Sequence, residues 1–296
     1  MSQQSASVPY PSVDELATPE HAQRRPRRFN LSSLGAMTFL VVCAIYFLLP
    51  YFWLIVSATK TGRDLVTTFG LWFAPHFNLF ANLQFLFTYD HSIFVRWLLN
   101  TLIYAGIGSV VGTVLASMAG YALAKYSFAG RNIVFTLVLG SVLVPSMALA
   151  LPLFLMMSKV ALTNTYWAVL LPSLVSPFGV YLSRIYAAAS VPDELLEAAR
   201  LDGAGEFRIF ATIATPLMMP AQVTVLLFQF VAIWNNYFLP LIMLSNEKLF
   251  PITVGLEVDR FLAIPGSLVS AIPLLIGCVF LQRYWRAGLG AGSVKG

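Results

Sequence analysis

Charged side chains are scarce in this sequence. Asp, Glu, Lys and Arg make up 10% of its 296 residues, whereas 58% are hydrophobic and the mean hydropathy is +0.76. This balance lies far outside soluble composition, so we expect a membrane protein. The net charge of +5 does not indicate nucleic acid, since four arginines before the first apolar run are typical of a topology determinant that also contacts anionic lipid: Arg24, Arg25, Arg27 and Arg28.

Reactive and metal-ligating residues are equally few. The two cysteines, Cys43 and Cys278, fall within apolar runs and the three histidines lie outside them, so no disulfide or metal site is predicted. The absence of HExxH, GxSxG, GxxxxGK and GxGxxG patterns limits the enzymatic activities that this chain could have. The apolar runs also lack the carboxylate, His or Lys that ion-coupled carriers keep in the membrane, so energy for transport is expected from a partner.

Long apolar runs are abundant. A hydrocarbon core of about 30 Å requires roughly 20 apolar residues in a helix. A seventh uncharged run, residues 65–89, carries polar residues among its aromatics and is predicted to be an interfacial loop. The predicted spans are six: residues 29–59, 97–124, 132–158, 160–183, 209–246 and 261–282.

Prolines and small residues within these spans predict a kinked, closely packed bundle. Proline kinks are tolerated where protein neighbours satisfy the freed carbonyls, and small residues let helices approach. The prolines are Pro145, Pro152, Pro172, Pro177 and Pro240, and the small residues are Gly106, Gly108, Gly112, Ser117 and Gly120.

The distribution of Lys and Arg predicts an orientation. With six spans and a cytoplasmic N-terminus, twelve of the 18 basic residues fall inside and six outside, as the positive-inside rule favours. Both termini and residues 184–208 are then cytoplasmic. Residues 1–30 have few large apolar side chains and are expected to be a disordered cytoplasmic tail.

One loop, residues 190–216, gathers an unusual share of the charge. Ser190 is expected to cap a helix that begins with Pro192, Asp193 and Glu194 and runs to about Asp202. Gly203 then supplies a positive φ, and a second short helix follows. Glu197 is expected to pair with Arg200, whereas Glu206 is expected to be solvated. The pattern alone also fits an amphipathic helix lying on the membrane.

This loop resembles the EAA loop of ABC-importer permeases, the segment that couples them to their ATPase subunits. One position departs from the family pattern, because Thr215 stands where Leu is frequent before the last proline. The resemblance rests on Glu197-Ala198-Ala199, Asp202-Gly203-Ala204, Phe210, Ile213 and Pro216.

The resemblance extends from about residue 30 to the end. Three further segments, WLLNT at 97–101, WNNYFLP at 234–240 and AGSVKG at 291–296, are similar to the smaller permease of carbohydrate importers typified by the maltose system. The family implies an all-helical, six-span type I importer permease of the bacterial cytoplasmic membrane. Its domain would cover 31–296, with a coupling loop at about 190–216 and a C-terminal cytoplasmic tail at about 284–296.

The implied partners are a second permease subunit in a heterodimer, two copies of an ABC ATPase that holds ATP and Mg, and an external solute-binding protein. No cofactor is expected on this chain, which is expected to be a transport subunit rather than an enzyme. Residues implied to couple to the ATPase are Glu197, Ala198, Ala199, Arg200, Asp202, Gly203, Ala204, Phe207 and Phe210.

Two further sites are expected. Asn100, Trp234, Asn235, Asn236 and Tyr237 could hydrogen-bond and stack on a sugar, although an Asn within a membrane more often bonds a neighbouring helix. The connection 246–265 is implied to reach the binding protein through Glu257, Asp259 and Arg260, the alternative being a plain connector.

The expected substrate is a sugar, from a monosaccharide to an oligosaccharide. Two alternatives remain open at this point. The same machinery could import another polar solute, such as a polyol or a glycerol phosphodiester. A stand-alone secondary carrier is the alternative from another class, and the charge-free spans argue against it.

Overall fold

A computed structural model describes the backbone of residues 31–292 and the side chains of residues 34–277, 279 and 280. The predicted disordered tail, 1–30, and the last four residues lie outside the described residues. The chain consists of two compact units, Met1–Pro50 and Tyr51–Gly296, and the boundary between them falls within the first helix. Between residues 31 and 292 the secondary structure is helical, without a strand, as the sequence predicts.

Residues 31–292 form fourteen α-helices, some of which are joined by short 3-10 or π turns. They are α1 Leu31–Ala58, α2 Gly62–Thr67, α3 Leu79–Thr88, α4 Ile93–Lys125, α5 Arg131–Val142, α6 Ser146–Lys159, α7 Tyr166–Ser173, α8 Pro177–Ser190, α9 Asp193–Leu201, α10 Glu206–Ile209, α11 Thr215–Trp234, α12 Phe238–Met243, α13 Ile252–Val258 and α14 Ala263–Gly292. The predicted C-terminal tail from about 284 is therefore still helical as far as Gly292.

Four helical stretches are long and apolar enough to cross a membrane, and two bent helix pairs bring the number to six if each pair is one span. The pair α5 and α6 bends by 107° next to Pro145. The second pair bends by 83° between Leu217 and Met219. Every predicted apolar run thus overlaps one of these stretches, although the run 209–246 continues beyond Trp234, and the number of complete spans stays a prediction.

The predicted interfacial loop 65–89 is more ordered than expected. Residues 79–88 form α3, which buries Leu86 completely. The Asn82 amide donates to the carbonyls of Ala58 and Lys60 at 2.8 and 2.9 Å, where the end of α1 leaves carbonyls without helical partners. One of the polar residues that suggested a loop, Asn82, therefore serves as a cap for α1.

Helix α4 lies at the centre of the unit 51–296. A Cβ added at Gly112 would lie 2.0 Å from Nε2 of Gln229 on α11, and one added at Gly120 would lie 2.7 Å from the backbone nitrogen of Arg184 on α8. Gly108 is similarly close to Ile233. The predicted close helix approach is confirmed at these three glycines, but it is wrong for Gly106, which has no neighbour within 4 Å.

Gln229 connects three helices near the middle of this bundle, a role that its sequence context did not indicate. Its amide donates to the carbonyl of Ser173 at 2.9 Å and to that of Gly108 at 3.4 Å. The Ser173 carbonyl is available because α7 ends there, four residues before Pro177 begins α8. A neighbouring side chain thus satisfies a carbonyl that the proline-associated break leaves free.

Candidate functional site

The charged loop folds into two short helices joined by a tight turn, as predicted. We call residues 193–209, which comprise α9, the turn 202–205 and α10, the elbow. Asp193 and Glu194 occupy the first turn of α9, where the helix dipole favours negative charge. The prediction that Ser190 caps this helix is wrong, because α8 continues through Ser190 and Pro192 precedes α9 without a side-chain cap.

Gly203 shapes the turn. Its φ is +79°, a left-handed backbone that glycine adopts without steric penalty, and the prediction of a positive φ there is confirmed. Space does not restrict this position, since an added Cβ would meet nothing within 4 Å. The amide of Ala204 donates to the Ala199 carbonyl at 3.0 Å and closes the end of α9.

The inner face of the elbow packs on the main bundle. Leu196, Ala199 and Ile209 are buried in one apolar cluster with Tyr121 of α4. Phe210 is half-buried, and its ring lies 5.4 Å from that of Tyr121. Ala199 and Phe210, both predicted to couple to the ATPase, therefore face the bundle, where they orient the elbow.

The outer face of the elbow combines charge with exposed apolar side chains. Glu197 and Ala198 are exposed, as are Asp202 and, at 74%, Phe207. Leu201 is 89% exposed, and the sequence had not singled it out. Exposed apolar side chains beside charged ones fit contact with a protein partner, and they also fit a helix that lies on the membrane surface.

Arg200 and Glu206 form an ion pair across the turn. The Arg200 Nε–Glu206 Oε1 distance is 2.7 Å, and Arg200 Nη2 donates to Oε2 at 3.2 Å. The expected Glu197–Arg200 pair is therefore wrong, because the turn at Gly203 brings Glu206 closer to the guanidinium. The expectation that Glu206 is merely solvated is also wrong, since the Tyr126 hydroxyl donates to it at 2.5 Å.

These contacts shift three pKa values outside the membrane-spanning segments. Hydrogen bonds from Arg200 and then Tyr126 lower the pKa of the Glu206 carboxyl. Burial and the bond to Glu206 raise the pKa of Tyr126. The pKa of Arg200 is raised by the same carboxylate. At neutral pH the charged Glu206 carboxylate thus accepts hydrogen bonds from two donors, Arg200 and Tyr126.

A second ion pair joins the start of α9 to the last residue of α4. The Lys125 Nζ–Asp193 Oδ1 distance is 2.8 Å, with the Lys125 side chain 7% exposed and Asp193 72% exposed. Lys125 and Tyr126 therefore attach the end of α4 to both helices of the elbow.

Polar side chains at the opposite end of α4 hold the chain segment 247–252. The indole of Trp97 donates to the Glu247 carbonyl at 3.0 Å, and the Tyr104 hydroxyl donates to Leu249 at 3.0 Å. Thr101 accepts from the Ile252 amide at 2.8 Å. Gly255 of α13 packs so closely that an added Cβ would lie 2.2 Å from the Trp97 ring.

Asn100, predicted to contact a solute, belongs to this same cluster. It is 2% exposed, and its amide donates to the carbonyls of Lys248 and Phe250 at 2.9 and 3.0 Å. Its oxygen accepts from the Tyr166 hydroxyl at 2.8 Å. Asn100 is thus held by protein atoms, which agrees with the expectation that an Asn within a membrane more often bonds a neighbouring part of the protein than a solute.

The other predicted solute-path residues are the last residue of α11 and the three that follow it. Trp234 is 3% exposed and stacks on Phe230, whereas Asn235 and Tyr237 are exposed. Asn235 donates to the Val231 carbonyl at 2.8 Å, and the Asn236 carbonyl accepts from Thr253 of α13 at 2.8 Å. Asn235 and Tyr237 are therefore the accessible members of this group.

The connection 246–265 is a structured segment. Ile252 and Val254 are buried, which fixes one side of α13 to the bundle. Glu257 and Arg260 form an exposed ion pair at 2.9 Å, and the backbone of Asp259 begins the following 3-10 turn. The three residues predicted to contact a binding protein thus lie together at the free end of α13.

An apolar helical bundle with a charged elbow at one end is the architecture of a membrane transport subunit. The chain belongs to the family of inner membrane components of binding-protein-dependent transport systems, which matches residues 112–286. Its fold is that of a type I ABC importer permease, and such permeases are not enzymes, since ATP is hydrolysed on a separate subunit. The predicted family and fold class are therefore confirmed.

Full-length relatives carry sugar-transport names. The chain is 35% identical to the arabinooligosaccharides permease AraQ of Bacillus subtilis (strain 168), over 92% of this chain and 99% of that one. It is 27% identical to the melibiose/raffinose/stachyose import permease MelC of the same organism, over 92% and 100%. The lactose permease LacG of Rhizobium radiobacter is 29% identical, over 90% and 98%.

A solved structure supports the fold. A chain of a bacterial ABC transporter that imports the acidic polysaccharide alginate superposes with a TM-score of 0.73 and 20% identity, over 94% of this chain and 100% of that one. The alginate transporter in complex with an alginate pentasaccharide-bound periplasmic protein gives a TM-score of 0.55 at 19% identity, over 86% and 94%.

Proposed function

We propose that this chain is the smaller permease of an ATP-driven importer that translocates a sugar, most readily an oligosaccharide. The observation that carries the proposal is the 35% identity to an arabinooligosaccharides permease over 92% of the chain. The sugar names of MelC and LacG support the same substrate class. An importer of another polar solute is a second candidate, because a permease named for osmoprotective compounds is 31% identical over 86% of this chain.

The proposed complex contains this chain, a second permease subunit, two copies of an ATPase that bind ATP and Mg, and an external solute-binding protein. The outer face of the elbow docks on the ATPase. Glu197 forms a charge-assisted bond to a basic residue there, while Leu201 and Phe207 fill apolar pockets. Closure of the ATPase dimer then moves the elbow.

The solute pathway of the proposed importer passes Asn235, Asn236 and Tyr237. Asn235 and Tyr237 offer an amide and a ring that are accessible in this chain, features that suit the hydroxyls and apolar faces of a sugar. Trp234 and Asn100 are nearly fully buried, so they are not part of this accessible surface. Alanine at Tyr237 should therefore impair uptake of sugar without loss of the assembled complex.

The proposed orientation places the elbow in the cytoplasm and α13 outside, with Glu257, Asp259 and Arg260 against the binding protein. Single cysteines at Phe77 and Glu257 should react with hydrophilic reagents from outside, and those at Ala204 and Ser293 only from inside. External labelling at Ala204 would contradict the orientation. Deleting Leu256–Arg260 should lower binding-protein stimulation of ATPase activity in an assembled complex.

The decisive experiment purifies the complex through a tag on this chain and reconstitutes it in proteoliposomes. ATP and the loaded binding protein should both be required for uptake of a radiolabelled oligosaccharide. Glu197→Lys should weaken copurification of the ATPase, and a charge reversal on the ATPase should partly restore it. Uptake by this chain alone under an ion gradient would establish the secondary carrier instead, and uptake of a polyol but no sugar would establish the second candidate.

A further inference from the structure

Helix α4 differs from the other long helices of this chain. It runs for 33 residues without proline, which corresponds to about 50 Å at 1.5 Å per residue. By contrast, α1, α11 and α14 each contain a proline: Pro50, Pro220 and Pro273. Proline is the commonest cause of a helix kink. Although α4 contains four glycines and the pair Gly108–Ser109, its helix runs unbroken through residues 93–125, so it is the long helix best able to move as one unit.

One end of α4 is attached to both helices of the elbow. Lys125 bonds Asp193 at the start of α9, and Tyr126 bonds Glu206 at the start of α10. Arg200 completes the bridge by pairing with Glu206. A displacement of either elbow helix therefore acts on the last turn of α4 through a hydrogen bond or an ion pair.

The other end of α4 is attached to the segment before α13. Four side chains on successive turns, Trp97, Asn100, Thr101 and Tyr104, bond backbone groups between 247 and 252. Each of these four side chains is at most 2% exposed. Buried hydrogen bonds of this kind are costly to leave unmade, so the segment must follow α4 when α4 moves.

The covalent route from the elbow is less direct. Residues 206–217 and 219–234 are bent by 83° relative to each other, and α11 ends at Trp234 before α12 begins at Phe238. A push along this route meets that bend and two breaks between α-helices, at residues 235–237 and 244–251, before it reaches α13. The uninterrupted route through α4 meets none.

We propose that α4 is the mechanical link that carries displacement of the elbow to residues 247–258, with Lys125 and Tyr126 as its positioning residues. This inference rests on the proposed function, because it assumes that an ATPase moves the elbow. The further claim is that displacement of the elbow passes through side-chain bonds to α4. It does not pass along the backbone to α11, which follows the elbow in the chain. Tyr126 and Lys125 then influence the far end of the molecule without contacting ATPase or solute.

The test substitutes Lys125 and Tyr126 at the elbow end of α4 and measures the accessibility of α13 at the other end. In the purified complex, Cys43 and Cys278 are replaced by alanine and Val258→Cys is introduced as a reporter, since Val258 is 51% exposed on α13. Maleimide labelling is timed without nucleotide and after trapping with ATP and vanadate. We expect trapping to change the labelling rate at least about twofold in this parent, and Tyr126→Phe with Lys125→Met to reduce that change by more than half.

The matched control is Tyr186→Phe on α8, which removes the same hydroxyl outside both bridges and should respond as the parent does. If the double variant does not assemble, Tyr126→Phe alone carries the test, because it keeps the ring and removes one bond. An unchanged ATP response in the variants would overturn the link, and so would a parent that imports sugar without any change at Val258. Failure of an ATPase to copurify with the unaltered chain would overturn the proposed function instead.

Discussion

At one end of α4, the buried side chains of Trp97, Asn100 and Tyr104 bond backbone carbonyls of residues 247–250. At the other end, Lys125 and Tyr126 bond the carboxylates of Asp193 and Glu206, whose side chains are 72% and 50% exposed. The same helix therefore combines an anchorage shielded from water with one whose carboxylates are open to it, although the Lys125 side chain itself is 7% exposed.

This difference bears on mechanism. Exposed ion pairs contribute about 0 to 1 kcal/mol each and weaken with salt, so they can exchange partners at little cost. Buried side-chain-to-backbone bonds leave costly unpaired groups when they break. The α13 end is thus suited to stay fixed to α4, whereas the elbow end is suited to be adjusted, as the proposed docking of an ATPase requires.

The largest effect is expected at the buried anchorage. Trp97→Ala removes a fully buried ring that packs on Gly255 and bonds Glu247, so we expect a loss of roughly 3 to 5 kcal/mol of stability. Thermal unfolding of the detergent-purified chain measures it. Trp167→Ala is the matched control, because Trp167 is 55% exposed. Equal unfolding temperatures in the two variants would show that the α13 end is not held as described.

A smaller loss is expected for Asn100→Leu. The substitution leaves the Phe250 carbonyl and the Tyr166 hydroxyl without this partner, whereas the Lys248 carbonyl keeps its bond from Arg96, so we expect a loss of about 1 to 3 kcal/mol. Thermal unfolding and proteolysis near residue 248 should both show it. Asn235→Leu, at an exposed position, should unfold like wild type. If Asn100→Leu were stable but altered the affinity for sugar, Asn100 would contact the solute after all.

The elbow should respond in its geometry more than in global stability. Gly203→Val forces a β-branched residue to a φ of +79°, at a cost of roughly 1 to 2 kcal/mol or a redirected α10. Gly205→Val is a matched control, because Gly205 also faces open space but has a φ of −71°. We expect Gly203→Val to uncouple ATP hydrolysis from uptake and Gly205→Val to retain coupling. Identical transport by both would show that the turn does not position the elbow.

The contrast also explains which features the sequence could predict. The acidic first turn of α9 and the positive φ of Gly203 are local signals, readable within a few residues. The partner of Arg200 was mispredicted because Glu197 lies at helical spacing, whereas Glu206 approaches only after the chain has turned.

Contacts between distant parts of the chain gave no local signal at all. The WLLNT segment was linked to a family, yet its role in holding residues 247–252 depends on pairings about 150 positions apart in the sequence. Tyr126 was not singled out for the same reason, because Glu206 lies 80 positions further along the chain. Composition predicts the membrane bundle, whereas the bonds that connect its two ends follow from tertiary packing.

The smallest effect is expected for the pH dependence of the elbow. Because its bonds lower the pKa of Glu206, this carboxyl stabilises the folded elbow above its unfolded pKa of about 4.3, and the contribution is lost as the pH falls through the lower folded value. Spin labels at the exposed positions Ser127, just after α4, and Leu201 on α9 can follow the distance between the end of α4 and α9 by pulsed EPR as the pH falls from 7 through 4 and below. We expect the distance distribution to broaden as the pH falls through the lowered folded pKa of Glu206.

Glu206→Gln is the control for this measurement. Its neutral amide cannot form the charge-assisted pair with Arg200, so the distribution should already be broad at pH 7 and should change little at pH 4. Salt should broaden the wild-type distribution as well, because the pair is exposed, whereas labels placed on α4 and α13 should be insensitive to both. A pH response that persists in Glu206→Gln would assign the adjustable contact to the neighbouring Lys125–Asp193 pair.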